Sequence, residues 1–409
     1  MPNKTLSTWA GIPYEYLSED QKNLIEQILK QPNKSYFIKG VAGSGKTVLA
    51  AHIAKILSNK LDKNVGFTVF TKLLNYFIEA GFDKTGIELV ETNQNLDTGH
   101  YHGLKDFWPA NPYDVMIIDE CQDFNLKMGK DVVDHSRYQI WLGDHKQQIY
   151  GEDNKYISDL ERQFVNTDST FYLSTNFRNS LYIAHLASYF LPPQAKKDFV
   201  EPVMRNERQV LPANNFPSVF IQCNNYNQEF EVLAEILKNI CKTDEVRKHI
   251  AIVQLRNNEL DKVEASLYHN IDSDLRNKLN IHRLGYRGEQ RNQSIDQMKA
   301  EGALKRPIFT LISTIHSLKG LEFDYVIFMG TDRISFHNDN GDEGNDKLIH
   351  VLFSRAKRRI YTTLVNKDKC FVCKKIGDDL ASKEYFQYIN ADLFLEEDAE
   401  QENFDEEIE

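Results

Sequence analysis

The segment from Gly40 to Thr47 constrains the fold of this chain more than any other, because it needs a strand before it and a helix after it. Its sequence, Gly-Val-Ala-Gly-Ser-Gly-Lys-Thr, satisfies the phosphate-loop pattern GxxxxGK[ST] in full. An apolar run at 35–38 precedes the loop, and residues 48–57 have helical composition and spacing. A match of this kind arises by chance in about one chain in a hundred of this length. The order of strand, loop and helix therefore predicts a nucleotide-binding α/β lobe.

The residues of this loop have separate expected roles. Its glycines allow backbone N–H groups to curl around the β-phosphate. Lys46 is expected to reach the β- and γ-oxygens, and the Thr47 hydroxyl is suited to hold Mg²⁺. ATP and Mg²⁺ are thus the expected ligand and cofactor, and a glycine-rich turn without a ligand is the alternative. The loop residues expected to bind the nucleotide are Gly40, Gly43, Ser44, Gly45, Lys46 and Thr47.

A second motif follows at residues 115–120, where the apolar run Val-Met-Ile-Ile ends in Asp119 and Glu120. At the carboxyl end of a strand, Asp119 would complete the Mg²⁺ coordination and Glu120 would polarise the attacking water. An apolar run followed by two acids is common by itself. In combination with the phosphate loop, it predicts nucleotide hydrolysis as well as binding.

Short apolar strands alternate with helical segments along the chain, which predicts parallel sheets with helices on their faces. A helix with a Ser18 cap is expected at 17–30. Leu191-Pro192-Pro193 interrupts the alternation and is interpreted as a linker. We therefore expect a first lobe at 1–190, a second at 191–385 and an acidic, disordered tail at 386–409. The predicted strands are 65–70, 115–118, 139–142 and 170–173 in the first lobe, and 219–222, 250–255, 308–313, 325–328 and 360–365 in the second.

The net charge of −11 is concentrated at one end of the chain. Ten carboxylates and no Lys or Arg lie between Asp392 and Glu409, so the rest of the chain is close to neutral. The acidity is therefore no argument against nucleic-acid binding, which needs a local basic groove and not a basic protein. The acidic segment itself is most typical of a solvated, disordered end, and a docking or autoinhibitory role is the alternative.

Neither membrane insertion nor a disulfide framework is expected. The sequence contains no run of 18 apolar residues and no apolar signal core near Met1, which favours a cytoplasmic protein without membrane contact. The five cysteines are irregularly spaced, and the one close pair, Cys370 and Cys373, lacks a second pair at zinc-finger spacing. Reduced structural thiols are the preferred interpretation of that pair.

The segment Asp119-Glu120-Cys121-Gln122-Asp123-Phe124 resembles motif II of the superfamily 1 helicases, specifically the UvrD-like group. Further segments are similar to the other motifs of that family and occur in its order. They are Gln21 for the Q motif, 143–150 for motif III, 173–178 for motif IV, 314–324 for motif V and 351–356 for motif VI.

This resemblance implies an α/β fold of two RecA-like P-loop lobes with parallel sheets flanked by helices and ATP in the cleft between them. From their residue types alone, Arg178 and Arg355 would be interpreted as ordinary surface or ion-pairing arginines. The resemblance instead assigns family roles: Gln21 to the adenine, Gln147 to sensing of the γ-phosphate, Arg178 and Arg355 to the γ-phosphate as arginine fingers, and Glu322 to the ribose.

The resemblance also implies nucleic-acid contacts. Residues 69–72 are similar to motif Ia, in which Phe70 would stack on a base and Thr71 and Lys72 would contact phosphates. Thr314 and His316 in motif V would lie on the nucleic-acid side. Phe70 could equally be a core aromatic, and this alternative is stronger for Tyr101, near another strand-contacting motif. Single-stranded DNA is the expected partner, with RNA as the alternative.

Two departures from the family pattern bear on function. The Arg-Gly-Ala stretch that usually follows motif III is missing, which leaves Tyr156 as the nearby candidate for a base wedge, and no large accessory insertion fits between the motifs. The favoured function is an ATP-dependent translocase or helicase with nucleic-acid-dependent ATPase activity. One alternative is a nucleotide-gated, non-unwinding ATPase subunit of a larger complex, such as a bacterial antiviral defence assembly with a nuclease partner. The other is an unrelated P-loop phosphotransferase.

Overall fold

The computed structural model describes residues 12, 14–84, 96–106, 108, 111–144, 155–164, 169–206, 217–243, 247–285, 288–334, 341–377 and 385–396. The chain divides into two compact units, Met1–Arg178 and Asn179–Glu409. Each unit is built around one sheet in which all strand pairs are parallel.

The sheet of the first unit has the strand order β3-β2-β4-β5-β1-β6. Its central strands are buried along most of their length, which explains why they appear in the sequence as short apolar runs. The strands are β1 Tyr36–Gly40, β2 Val65–Val69, β3 Leu96–His100, β4 Tyr113–Ile118, β5 Ser136–Gly143 and β6 Thr170–Leu173. The helices are α1 Glu19–Lys30, α2 Lys46–Leu61, α3 Lys72–Lys84, α4 Tyr101–Asp106, α5 Leu126–Asp134 and α6 Lys155–Phe164.

Helix α1 begins where the sequence predicts it, at a capping box. The Ser18 hydroxyl accepts a hydrogen bond from the Gln21 backbone N–H at 3.2 Å, and the Gln21 side chain accepts one from the Ser18 N–H at 3.0 Å. These bonds satisfy backbone donors that a helix start leaves unpaired. Leu24, Ile25 and Ile28 are buried on one face. The predicted helix is confirmed.

The sheet of the second unit has the strand order β13-β7-β12-β11-β8-β10-β9. Its strands are β7 Ser218–Gln222, β8 Lys248–Gln254, β9 Ile281–Arg283, β10 Ile308–Thr314, β11 Phe323–Phe328, β12 Ala356–Leu364 and β13 Phe386–Asn390. Its helices are α7 Leu181–Ser188, α8 Pro193–Asn206, α9 Gln228–Lys242, α10 Asn257–Asn270, α11 Ser273–Leu279, α12 Gly288–Ala300, α13 Gly341–Phe353 and α14 Phe371–Ile376. The prediction of two parallel α/β lobes with helices on their sheets is confirmed.

The predicted boundary between the lobes at residue 190 differs from the division of the structure, which falls after Arg178. Helix α7 belongs to the second unit, where Phe190 packs edge-on against Phe353. Pro192 and Pro193 do not form a linker but start α8, and the Lys196 N–H donates to the Pro192 carbonyl at 3.0 Å. Proline fits the first turn of a helix because the N–H that it lacks has no helical partner there.

The predicted disordered tail also starts too early at residue 386. Residues 386–390 form β13, which pairs in parallel with β7, and Phe386 is buried. Residues 391–396 are helical, and Ala391 lies in the core. Ile389 also packs against the core of this unit, although Tyr388 of the same strand is exposed. Residues 397–409 lie outside the described part of the chain.

Within the described residues, no helix is both long enough and apolar enough to cross a membrane.

Candidate nucleotide site

Four loops meet at the carboxyl edge of the first sheet, because parallel strands all end on the same side. The phosphate loop follows β1, Asp119 and Glu120 follow β4, Asp144 follows β5, and residues 174–178 follow β6. Strands β4, β5, β1 and β6 are consecutive in the sheet. The strand order therefore places segments that are distant in sequence beside one another.

Two glycines of the phosphate loop have backbone conformations that favour glycine. Gly43 and Gly45 have φ angles of 71° and 78°. A Cβ on Gly43 would lie 2.3 Å from the Asn176 side-chain oxygen, and a Cβ on Gly45 would lie 2.6 Å from the Gln21 amide nitrogen. Both conformation and space thus exclude a side chain, and the loop backbone packs closely against the Q motif and motif IV segments.

The Lys46 ammonium is buried inside the curve of its own loop. Its Nζ donates to the carbonyl oxygens of Gly40 at 2.9 Å and Val41 at 3.1 Å. Only 7% of Lys46 is exposed. The positive charge is therefore held at the position where the pattern predicts phosphate oxygens to bind.

The oxygens of Thr47 and Asp119 fit a Mg²⁺ ion. The Thr47 hydroxyl donates to Asp119 Oδ2 at 2.5 Å. Asp119 is fully buried, and among the described residues its Oδ1 has no hydrogen-bond partner. Burial and the neighbouring Glu120 carboxylate raise the pKa of Asp119 to about 7, against the opposing effects of the Thr47 hydroxyl and Lys46. Buried carboxylate and hydroxyl oxygens beside a phosphate loop are ligands that Mg²⁺ prefers.

Glu120 is held at the start of a short 3₁₀ turn, Cys121–Asp123. Its backbone has the left-handed φ of 55°, which is uncommon for a residue with a side chain. The Gln122 side-chain amide donates to Glu120 Oε2, and the Asp144 backbone N–H donates to Gln122 Oε1 at 3.1 Å. Gln122 has no role in the sequence interpretation beyond its place in motif II.

The motif IV segment lies on the phosphate loop. The Phe177 N–H donates to the Gly43 carbonyl at 2.8 Å, and the Arg178 N–H donates to Asn176 Oδ1 at 2.9 Å. The Cβ of Arg178 lies 2.6 Å from where a Gly43 Cβ would be. The structure thus brings Arg178 beside the phosphate loop. The neighbouring Phe177 is 42% exposed.

Gln21 lies against the same loop. Its amide nitrogen donates to the Ser44 carbonyl at 3.1 Å, while its oxygen completes the capping box of α1. Gln21 is buried, with 4% exposed. Its predicted contact with adenine is not tested by these bonds, and Gln147 lies outside the described residues.

In the second unit, Glu322 and Arg355 lie together at the amino edge of the sheet. They immediately precede β11 and β12, and the Phe323 N–H donates to the Arg355 carbonyl at 3.0 Å. Glu322 forms an ion pair with Lys357 at 3.2 Å. The pairing of two neighbouring parallel strands therefore explains why Glu322 and Arg355, which are 33 residues apart in sequence, meet.

Arg355 is fully buried within the structure. Its Nε donates to the Val351 carbonyl at 3.0 Å, and its Nη1 lies 3.4 Å from the Leu321 carbonyl. The Asn179 amide donates to the carbonyls of Ser354 at 3.0 Å and Ala356 at 2.8 Å, on both sides of Arg355. Asn179 therefore fixes the backbone of Arg355, a role that the sequence interpretation missed because asparagine after motif IV carries no distinctive signal.

The candidate nucleic-acid residues of the first unit have structural roles of their own. Phe70 is partly buried, with its ring edge-on to Phe124 at 6.3 Å. The Thr71 hydroxyl accepts from the Leu74 N–H at 3.2 Å, and Lys72 is the first residue of α3. All three follow β2 at the carboxyl edge of the first sheet.

Tyr101 has the environment of a core aromatic. It is buried and donates to Asp131 at 2.5 Å. Burial and this hydrogen bond raise the pKa of Tyr101 above its usual range. The core interpretation therefore holds for Tyr101.

Thr314 and His316 lie at the carboxyl edge of the second sheet, opposite to the edge that holds Glu322 and Arg355. Thr314 ends β10, and its hydroxyl lies 3.2 Å from the Ser317 hydroxyl. His316 is exposed in the 3₁₀ turn Ile315–Leu318. The length of the six-residue strand β11 corresponds to a separation of about 20 Å between the two edges.

Comparisons with known proteins agree with the phosphate loop and the fold. Residues 16–178 match a family model described as an AAA domain. No curated protein matches the chain. Among solved structures, it is similar to S. cerevisiae Dbp5 bound to RNA and ADP BeF3, with 13% identity, a TM-score of 0.55 and coverage of 94% of this chain and 92% of that chain. A single-substitution variant of Dbp5 in the same bound state has a TM-score of 0.55, 13% identity and coverage of 93% and 92%. At this identity, the likeness establishes the fold of two parallel α/β lobes.

Proposed function

We propose that this chain is an ATP-dependent translocase or helicase that acts on single-stranded nucleic acid, with DNA favoured over RNA. The observation that carries the proposal is the convergence of Lys46, the Thr47–Asp119 pair and Glu120 at one sheet edge. The assignment to the UvrD-like group rests on the order of the sequence motifs. The AAA-domain match over residues 16–178 supports its coarser part, a P-loop nucleoside triphosphatase.

The residues of this edge would have separate roles in ATP hydrolysis. Lys46 exchanges its bonds to the Gly40 and Val41 carbonyls for bonds to phosphate oxygens. Thr47 and Asp119 would hold Mg²⁺, which when bound neutralises charge on the phosphates. Glu120 orients and polarises the attacking water as a general base. The chemistry is mostly positioning and charge compensation, which matches the buried, closely packed loop.

Further contacts with the nucleotide are proposed from the motifs. Arg178, whose backbone lies beside Gly43, compensates charge on the γ-phosphate. Arg355 is the second candidate arginine, and Glu322 beside it is the candidate for the ribose. Gln21 and Gln147 are proposed to contact the adenine and the γ-phosphate.

The nucleic acid would be held without base readout. Phe70 offers a stacking surface, Thr71 and Lys72 are the proposed phosphate contacts, and Thr314 and His316 are proposed to lie on the nucleic-acid side. Stacking tolerates every base, and phosphate contacts weaken with salt, so binding should be nearly sequence-independent and salt-sensitive.

The runner-up is a nucleotide-gated, non-unwinding subunit of a larger complex, in which a protein partner such as a nuclease would respond to ATP. Strand displacement on a partial duplex separates the two functions. Displacement by the isolated chain supports the helicase, while ATP hydrolysis without displacement or movement along a strand supports the gated subunit. RNA oligonucleotides in parallel test the choice of DNA.

Replacing Glu120 by glutamine tests the assignment of the general base. The side chain keeps its shape, and Asp119 and Thr47 remain in place, so ATP affinity should change by less than about threefold, while turnover falls about a hundredfold. Stopped-flow binding of a fluorescent ATP analogue and steady-state phosphate release measure the two effects.

The matched control for this variant is Glu161→Gln, which removes a carboxylate paired with Lys39 in the same unit. Its turnover should equal that of the wild type. A Glu120→Gln variant with normal turnover, or one that loses binding and turnover equally, contradicts the assigned role.

A further inference from the structure

Gln122 is buried between the proposed general base and the backbone after β5. It has no exposed surface. Its amide nitrogen donates to Glu120 Oε2, and its oxygen accepts from the Asp144 N–H at 3.1 Å. One side chain thus bridges two of the four loops at the carboxyl edge of the first sheet.

The bridge also fixes which end of the amide faces Glu120. A backbone N–H only donates, so the Asp144 N–H requires the amide oxygen of Gln122. The NH₂ group must then point toward the Glu120 carboxylate, which only accepts when ionised. Glutamate at position 122 would place a second carboxylate there, and leucine would leave the Asp144 N–H without its partner.

The Glu120 side chain needs such a restraint. Its carboxylate is carried on three rotatable bonds, and its backbone starts a tight turn in which the Asp123 N–H donates to the Glu120 carbonyl at 3.2 Å. The turn fixes the backbone but not the carboxylate. A misplacement of about 1 Å costs about a hundredfold in rate, so a bond that holds the carboxylate in place bears directly on catalysis.

We propose that Gln122 is a positioning residue that holds the Glu120 carboxylate in place for water activation and ties its position to the backbone at Asp144. This inference rests on the proposed ATPase function. It assigns the residue no contact with the nucleotide, so its loss should affect turnover and leave binding unchanged. A displacement of the Asp144 backbone would reach Glu120 through this side chain.

The test is a double-mutant cycle on ATP hydrolysis. Gln122→Leu should lower kcat by about 10- to 100-fold, with KM and the affinity for a fluorescent ATP analogue within about threefold of wild type. The double variant Glu120→Gln with Gln122→Leu should turn over within about twofold of Glu120→Gln alone, because Gln122 acts only through that carboxylate.

Gln139→Leu is the matched control, because Gln139 is also a buried glutamine with both ends bonded, to Ser35 and to Ser136. It should lower the melting temperature and leave kcat unchanged. Gln122→Asn, which keeps the amide but is one methylene too short to bridge, provides the same test if the leucine variant does not fold.

Several outcomes overturn the inference. One is a normal kcat in both Gln122 variants. Another is a double variant whose loss of kcat equals the product of the two single losses. The third is a loss of kcat in Gln139→Leu as large as that in Gln122→Leu. An inactive wild type would instead overturn the proposed function itself. The wild type assayed alongside therefore separates the two failures.

Discussion

Replacing Lys46 by alanine is expected to reduce kcat/KM for ATP hydrolysis by about 10³ or more. The Lys46 ammonium is held within the phosphate loop by the Gly40 and Val41 carbonyls, and no other lysine of the first unit has this placement among the described residues. Alanine removes the charge that faces the β- and γ-phosphates in the ground state and in the transition state. Both ATP affinity and turnover should therefore fall, in contrast to the Glu120→Gln variant. Isothermal titration with ATP and steady-state kinetics measure the two effects.

Lys39→Ala is the control for this variant. Lys39 lies on β1 immediately before Gly40, and its ammonium pairs with Glu161 of α6 at 2.5 Å. Loss of this partly exposed ion pair should cost little stability and no activity. Wild-type ATP hydrolysis in Lys46→Ala would refute the assignment of the site.

The Arg355→Ala variant is expected to hydrolyse ATP about 10³-fold more slowly if Arg355 compensates transition-state charge. The structure adds a second expectation, because the buried guanidinium donates to the Val351 carbonyl and lies near that of Leu321. Alanine removes these contacts and leaves a cavity at a fully buried position, so the melting temperature should also fall. Kinetics are therefore measured well below the melting temperature of the variant.

A second arginine of the same unit separates the two effects. Arg333 pairs with the buried carboxylate of Glu229 at 2.8 Å, on the edge of the sheet opposite to Arg355. Arg333→Ala should lower the melting temperature comparably and leave hydrolysis unchanged. If Arg355→Ala slows hydrolysis less than about threefold, Arg355 is a structural residue and not an arginine finger.

Local signals predict the elements around the phosphate loop well. The capping box at Ser18 starts α1, and the apolar runs before Gly40 and Asp119 are β1 and β4, because a strand buried on both faces needs an uninterrupted apolar run. The parallel order of these strands then brings the loop and Asp119 together. The phosphate loop and Asp119 could therefore be predicted from the sequence, because their motifs require a fixed local conformation.

Other features depend on tertiary contacts that leave no pattern in the sequence. Strands β3 and β9 are short edge strands, and the sequence of β3, Leu-Asp-Thr-Gly-His, is too polar to indicate a strand. Pro193 signals a break, but only packing decides between a linker and a helix start. Gln122 is recognisable as part of a motif, but its role as a bridge is not. One of its two bonds is to Asp144 after β5, which lies over twenty residues further along the chain.

The most direct test of the central claim is the rate of ATP hydrolysis by the full chain with and without single-stranded DNA or RNA, at low and at high salt. We expect a single strand of any sequence to stimulate turnover by about tenfold or more at low salt, and we expect the stimulation to weaken as salt rises. Glu120→Gln, assayed in the same way, should show no stimulated turnover. Equal rates with and without every strand tested would contradict a nucleic-acid motor and leave a P-loop ATPase with another partner.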